Sequence, residues 1–203
     1  MSDPSRYPVP AATHRVEQEI SRSRFITTIA RASTVDEATA LVRQVSAEFD
    51  DATHNCWAFV IGPPGDTARI GMSDAGEPHG TAGRPMLNAL LHGGVGDIVA
   101  VVTRYYGGTK LGTGGLVRAY GGGVQRALET LPRAERIEYV RATVSVDYAA
   151  VEVLERTLEE HGARIDGRRF DTEAHFDVRV PDTDVDRVQR AVRDVTRGQG
   201  RWS

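Results

Sequence analysis

The segment Asp97-Ile98-Val99-Ala100-Val101-Val102-Thr103 constrains this chain more than any other. It is rich in β-branched residues and apolar at every position from 98 to 102. Successive strand residues point to opposite sides of a sheet, so this strand presents apolar groups on both faces. It belongs in the middle of a sheet, covered on each side. The chain has 203 residues, 40% hydrophobic and 26% charged, which is enough for such a core in one large domain or two small ones.

The neighbouring patterns supply the other layers. Phe25-Ile26-Thr27-Thr28-Ile29-Ala30 and Cys56-Trp57-Ala58-Phe59-Val60-Ile61 read as strands, the second ending at the turn Gly62-Pro63-Pro64-Gly65. Ala68 to Met72 reads as its hairpin partner. Ala38, Leu41, Val42, Val45 and Phe49 recur at helical spacing, with Ser33 or Thr34 as N-cap and Glu37 near the capping-box position. Short and long helices are expected over Met86–Leu91 and Leu116–Leu131, the latter stopped by Pro132. Residues 1–18 read as a disordered tail, polar and proline-punctuated, without a signal peptide.

Composition changes near Arg136, where glycine becomes sparse and charges alternate. From there the patterns run β-α-β-β-α, with a short last strand at Gly200–Ser203, as in a ferredoxin-like split βαβ unit. The expectation is an α+β chain with domains over residues 19–135 and 140–203.

Charge and cysteine usage narrow the function classes. Net charge is −3, from 25 basic and 28 acidic residues, so any anion-binding surface must be local. One cysteine, Cys56, allows no internal disulfide and no cysteine-based zinc site. No apolar run approaches the roughly 20 residues of a membrane helix. A cytoplasmic protein with no membrane partner, no cofactor and no metal is expected.

Two glycine-rich segments carry the chemistry. The first is Ser73-Asp74-Ala75-Gly76-Glu77-Pro78-His79-Gly80-Thr81-Ala82-Gly83-Arg84-Pro85; the second runs from Arg104-Tyr105-Tyr106-Gly107-Gly108-Thr109-Lys110 through Leu111-Gly112-Thr113-Gly114-Gly115 to Tyr120. Glycines allow backbone N–H groups to line an anion nest, and the second segment leads into a helix whose N-terminus adds partial positive charge. Arg84, Arg104, Lys110 and Arg118 lie in or beside these segments, and Lys110 is the single lysine of the chain. Tyr105, Tyr106 and Tyr120 are interleaved with them, as on surfaces that stack bases. The structural alternative is that the glycines make tight turns, and that strand alternation turns one of Tyr105 and Tyr106 into the core. Neither a Walker motif nor a complete dinucleotide fingerprint is present. Asp74, Glu77 and His79 are readable as an acid/base or metal cluster, or as turn and cap residues. His54 and Cys56 share a strand face without a third orienting group, and Cys56 reads as a core thiol.

Three blocks, Asp51-Ala52-Thr53-His54-Asn55-Cys56-Trp57-Ala58-Phe59, Gly76-Glu77-Pro78-His79-Gly80-Thr81-Ala82-Gly83-Arg84-Pro85-Met86-Leu87 and Arg104 to Gly112, resemble the YigZ/IMPACT family in order and spacing. The family's usual Asp-Asp-Gly-Glu-Pro is Asp74-Ala75-Gly76-Glu77-Pro78 here. The resemblance implies a first domain similar to the second domain of ribosomal protein S5, and a ferredoxin-like second domain similar to the last domain of elongation factor G. It therefore implies RNA or the ribosome as partner, with a regulatory consequence. In that reading Arg84, Arg104, Lys110 and Arg118 contact phosphates, beside Tyr105 and Tyr106. Two alternatives stand beside it. One is an enzyme holding a small anion with Arg84 and Lys110, with Glu77 or His79 as acid or base. The other is a module for a protein partner.

Overall fold

In the computed structural model, which describes residues 6–203, the chain divides into two units, Met1–Arg136 and Ile137–Ser203. The first unit opens with strands β1 (Arg6–Pro10), β2 (His14–Ile20) and β3 (Ser23–Arg31). Helix α1 (Val35–Glu48), strands β4 (His54–Val60) and β5 (Ile70–Ser73) and helix α2 (Gly83–His92) follow. Strand β6 (Ile98–Tyr105), helix α3 (Gly112–Thr130) and strand β7 (Arg133–Ile137) complete it. The main sheet has the order β2-β3-β6-β4-β5, every described pairing antiparallel, with the apolar segment at its centre.

Alternation along β6 divides the core. Ile98, Ala100 and Val102 pack with Phe25, Ile29, Met86, Leu90, Tyr120 and Val124 under α2 and α3. Val99 points the other way and joins Phe59, Ile61 and Ala38 under α1. Residues apolar on both faces thus explain why helices cover both sides. At the start of α1, the Glu37 amide donates to the Thr34 hydroxyl at 3.1 Å and the Ser33 amide donates to the Glu37 carboxylate at 2.7 Å. Both groups of the expected cap are therefore used.

Three expectations need correction. Residues 6–18 are not a disordered tail: they form β1 and β2, while residues 1–5 lie outside the described part. Tyr7 and Val9 alternate into the core and are fully buried. Their prolines sit in a two-stranded sheet with β7, a location that tolerates the missing donor. Helix α2 begins at Gly83 rather than Met86, because proline is accepted in a first turn and the Asp74 carboxylate takes the amides of Ala82 and Gly83. Helix α3 begins at Gly112 rather than Leu116. Its glycines are unfavourable for an isolated helix, but tertiary packing of Leu116, Ala119, Tyr120 and Val124 holds it. A Cβ at Gly123 would come within 2.9 Å of the Thr27 hydroxyl oxygen, so this glycine lets α3 lie close on β3.

The second unit comprises β8 (Tyr139–Val146), α4 (Val151–Glu160), β9 (Arg164–Phe170), β10 (Ala174–Pro181), α5 (Val185–Val195) and β11 (Arg201–Trp202). Its sheet order, β11-β8-β10-β9, is that of a ferredoxin-like split βαβ unit. Val188 and Val192 of α5 and Leu154 and Leu158 of α4 pack on Val144, Phe176 and Val178. The chain is α+β.

Candidate functional site

The first glycine segment is organised by one carboxylate. Asp74 Oδ1 accepts from the amides of Ala82 and Gly83 at 3.0 and 2.8 Å, and Oδ2 accepts from the Gly80 amide at 2.8 Å. Burial by itself would raise this carboxyl, but the three backbone donors outweigh it and hold it below its ordinary range. Asp74 is therefore a loop clamp and helix cap, the alternative to an acid/base role. Residues Asp74 to Glu77 form a turn, with the Glu77 amide donating to the Asp74 carbonyl at 2.9 Å. Both central residues have positive φ, 44° at Ala75 and 89° at Gly76. An alanine pays a steric penalty there that glycine avoids and aspartate or asparagine reduces. An aspartate or asparagine at position 75 would thus have a conformational use. Ala75→Gly is expected to stabilise the chain by about 1 kcal/mol, read as a higher denaturant midpoint.

Glu77 is not available as a surface acid. Its Oε1 accepts from Arg104 Nη1 at 2.6 Å and from the Tyr120 hydroxyl at 2.7 Å. The ion-paired side chains are 6% exposed for Arg104 and 3% for Glu77. Phe25 lies 5.4 Å from the guanidinium carbon and Tyr106 lies 5.5 Å from it, measured to ring centroids. Arg104, expected as a phosphate contact, is instead an internal cation. It satisfies a buried carboxylate and supports Tyr106. Its Nε is the single buried side-chain nitrogen or oxygen without a hydrogen-bond partner among the described residues.

The remaining candidates scatter. Lys110, Arg84 and Arg118 are exposed, and Tyr106 is 46% exposed. Tyr105 donates to Asp51 Oδ1 at 2.6 Å and stacks under Arg24. Neither Tyr105 nor Tyr106 enters the core, contrary to the expectation from strand alternation. Of the three tyrosines in the glycine segments, the buried one is Tyr120, carried in by α3, and burial pushes its pKa up. It is not available for stacking on bases. His79 is fully exposed, with Nδ1 3.7 Å from Asp74 Oδ2. His54 contacts the Ala75 carbonyl at 2.9 Å. Cys56 donates to the Asp74 carbonyl, and burial pushes its thiol up to about 12, so it stays protonated and inert at neutral pH. No group of three metal-ligating side chains occurs among the described residues.

The two glycine segments do meet. Glu77 and Pro78 of the first and Arg104, Tyr106, Lys110, Leu111, Gly112, Thr113 and Leu116 of the second line a pocket of about 420 Å³. Arg84, Arg118 and Tyr105 do not line it. Gly107 fixes the geometry. A Cβ there would fall 1.8 Å from the Arg22 carbonyl oxygen, and its amide donates to the Ser23 hydroxyl at 3.2 Å. Gly108 and Gly112 take positive φ, at 81° and 71°, and turn the chain into α3. The first turn of α3 has no side-chain cap and no acidic residue. Its amides therefore keep their donor capacity and the positive end of the helix dipole. A groove of about 460 Å³ between α2 and α3 is comparable in size, but it is lined by helix flanks rather than by a helix N-terminus. Sequence reasoning missed Pro78, Leu111, Thr113 and Leu116 as pocket walls, and the helix start at Gly112 is what brings in Thr113 and Leu116.

No helix among the described residues is long and apolar enough to cross a membrane. Residues 21–128 match the Impact N-terminal domain, and residues 144–199 match a domain of unknown function, DUF1949. The chain is 43% identical over 190 residues to the IMPACT family member YigZ of Escherichia coli strain K12, covering 94% of this chain and 93% of that one. It is 36% identical to the IMPACT family member YvyE of Bacillus subtilis strain 168, covering 89% and 82%. A crystal structure described as that of a hypothetical protein superposes with a TM-score of 0.70 at 41% identity, covering 98% of this chain and 96% of that one. Matching domains in the same order, over nearly the whole length, place this chain in the IMPACT family.

Proposed function

We propose that the chain is a non-catalytic RNA-binding protein, acting on RNA or the ribosome with a regulatory consequence, and that its contact point is the pocket between the glycine segments. The observation that carries this reading is the convergence of Lys110, the exposed ring of Tyr106 and the uncapped N-terminus of α3 on one surface. Cations and bare amides suit phosphate, and an aromatic face suits an unpaired base. Arg118 and Arg84, exposed but outside the pocket, serve as outlying phosphate contacts. A net charge of −3 confines this affinity to the patch.

Binding is favoured over turnover by the state of the acid and base candidates. Glu77 is committed to Arg104 and Tyr120, Asp74 to three amides, and Cys56 to a carbonyl. His79 stands in solvent without a second catalytic group at hydrogen-bond distance.

The test is a salt series with single-stranded RNA. Native protein is expected to bind at low salt, with a log–log slope that falls by about 0.7 in Lys110→Ala, the value of one lost phosphate contact on a single strand. Absence of binding at low salt overturns the proposal.

A further inference from the structure

We infer that the pocket accepts one nucleoside monophosphate unit, with its phosphate on the N-terminus of α3 and its base against Tyr106. This deepens the RNA reading of the same pocket. Three observations carry it. The pocket, about 420 Å³, lies at the small end of ligand sites and suits one ring system with one charged group rather than a duplex. One part of its lining is basic or donor-rich, comprising Lys110 and the first-turn residues Gly112 and Thr113. Another is apolar, comprising Pro78, Leu111, Leu116 and the ring of Tyr106.

Each part suits a different piece of the ligand. A phosphate is recognised by backbone amides at a helix start and by an ammonium as a point charge. A base is recognised by its π-face on an aromatic side chain, which tolerates any base identity. The one carboxylate of the lining, Glu77, is neutralised by Arg104 and accepts from Tyr120, so it does not oppose an anion. An aliphatic carboxylate fits the donors but leaves the Tyr106 face unused. Inorganic phosphate leaves the whole apolar wall uncovered.

The test is an NMR titration of the isotope-labelled full chain with adenosine 5′-monophosphate, adenosine and inorganic phosphate as separate probes. The monophosphate is expected to shift the amides of Gly112 to Gly115 and to bind about tenfold or more tighter than either other probe. Thr113→Glu supplies a control on folding. An acidic residue in the first turn favours the helix, so thermal stability holds or rises while monophosphate affinity falls about tenfold or more. Oligoadenylates with and without a 5′-phosphate separate the sources. Tighter binding of the phosphorylated strand assigns the unit to a chain end. Failure of both strands to displace the monophosphate assigns it to a free nucleotide. Unmoved amides, or unchanged affinity in Thr113→Glu, overturn the inference. If RNA still binds in that case with a salt slope that Lys110→Ala lowers, the RNA reading stands without a nucleotide site.

Discussion

Glu77→Ala is expected to destabilise the first unit by about 3–5 kcal/mol, the cost of leaving one member of a buried ion pair uncompensated. The guanidinium of Arg104 sits between Phe25 and Tyr106 and would keep only the Ser23 hydroxyl, at 3.4 Å. Tyr120 would lose its acceptor at the same time. The thermal midpoint should fall on the order of 10 °C. Glu77→Gln keeps an acceptor without the charge and should lose less. Replacing both partners, as in Glu77→Leu with Arg104→Met, should recover most of the loss, because the desolvation cost of the pair disappears with it. Calorimetry on the four proteins checks this. A single alanine variant within about 0.5 kcal/mol of native would mean that the pair does not hold the loop. The pair also supports the pocket, since Arg104 stacks with Tyr106 and Glu77 anchors the turn from Asp74. Glu77→Ala should therefore reduce RNA affinity as well, through Tyr106.

The second large effect is expected at Asp97, just before the central strand. It is 2% exposed and has φ of 46°. Its Oδ1 accepts from the Gly62 amide at 2.9 Å, and Oδ2 accepts from the Tyr7 hydroxyl at 3.1 Å and lies 3.3 Å from Arg136 Nε. Asp97→Ala removes the acceptor for a buried amide and a buried phenol, and puts alanine in the left-handed region. Each stranded polar group costs about 1–3 kcal/mol and the backbone strain about 1–2, so a loss of about 3–8 kcal/mol is expected in a denaturant melt. Asp97→Asn keeps an acceptor and tolerates the backbone, and should lose less. A second readout is alkaline. Burial, then the Asp97 charge, push the Tyr7 phenol up to about 12. The folded chain thus holds a proton that the unfolded chain releases above about 10, and stability falls as pH rises between those values. In Asp97→Ala the Tyr7 pKa drops and this alkaline loss shrinks. An unchanged alkaline profile would count against the assignment.

Much of the fold was readable because local pattern and tertiary demand agree. The central strand, the strands at Phe25 and Cys56, the cap at Thr34 and the β-α-β-β-α order of the second unit all follow from periodicity and turn residues. The errors share a cause. Residues 6–18 and the start of α3 carry prolines and glycines that argue against regular structure locally, and distant partners override them. For β1 those partners are β7 and the Asp97 cluster, more than 80 residues away in sequence. For the glycine-rich start of α3, burial of Leu116 and Tyr120 outweighs weak propensity.

The candidate site divides in the same way. Residue types that suit an anion, and glycines that let backbone amides reach it, are properties of composition and spacing. Which cation faces outward is not. Arg104 and Lys110 lie six positions apart in one segment, yet Arg104 is locked beneath Tyr106 by a carboxylate from the other glycine segment and Lys110 remains exposed. Sequence alone therefore determined the α+β layout, the buried central strand and the convergence of chemistry in two glycine segments. Tertiary structure alone decided which charges are spent inside, because a buried guanidinium must find its carboxylate wherever the fold delivers one.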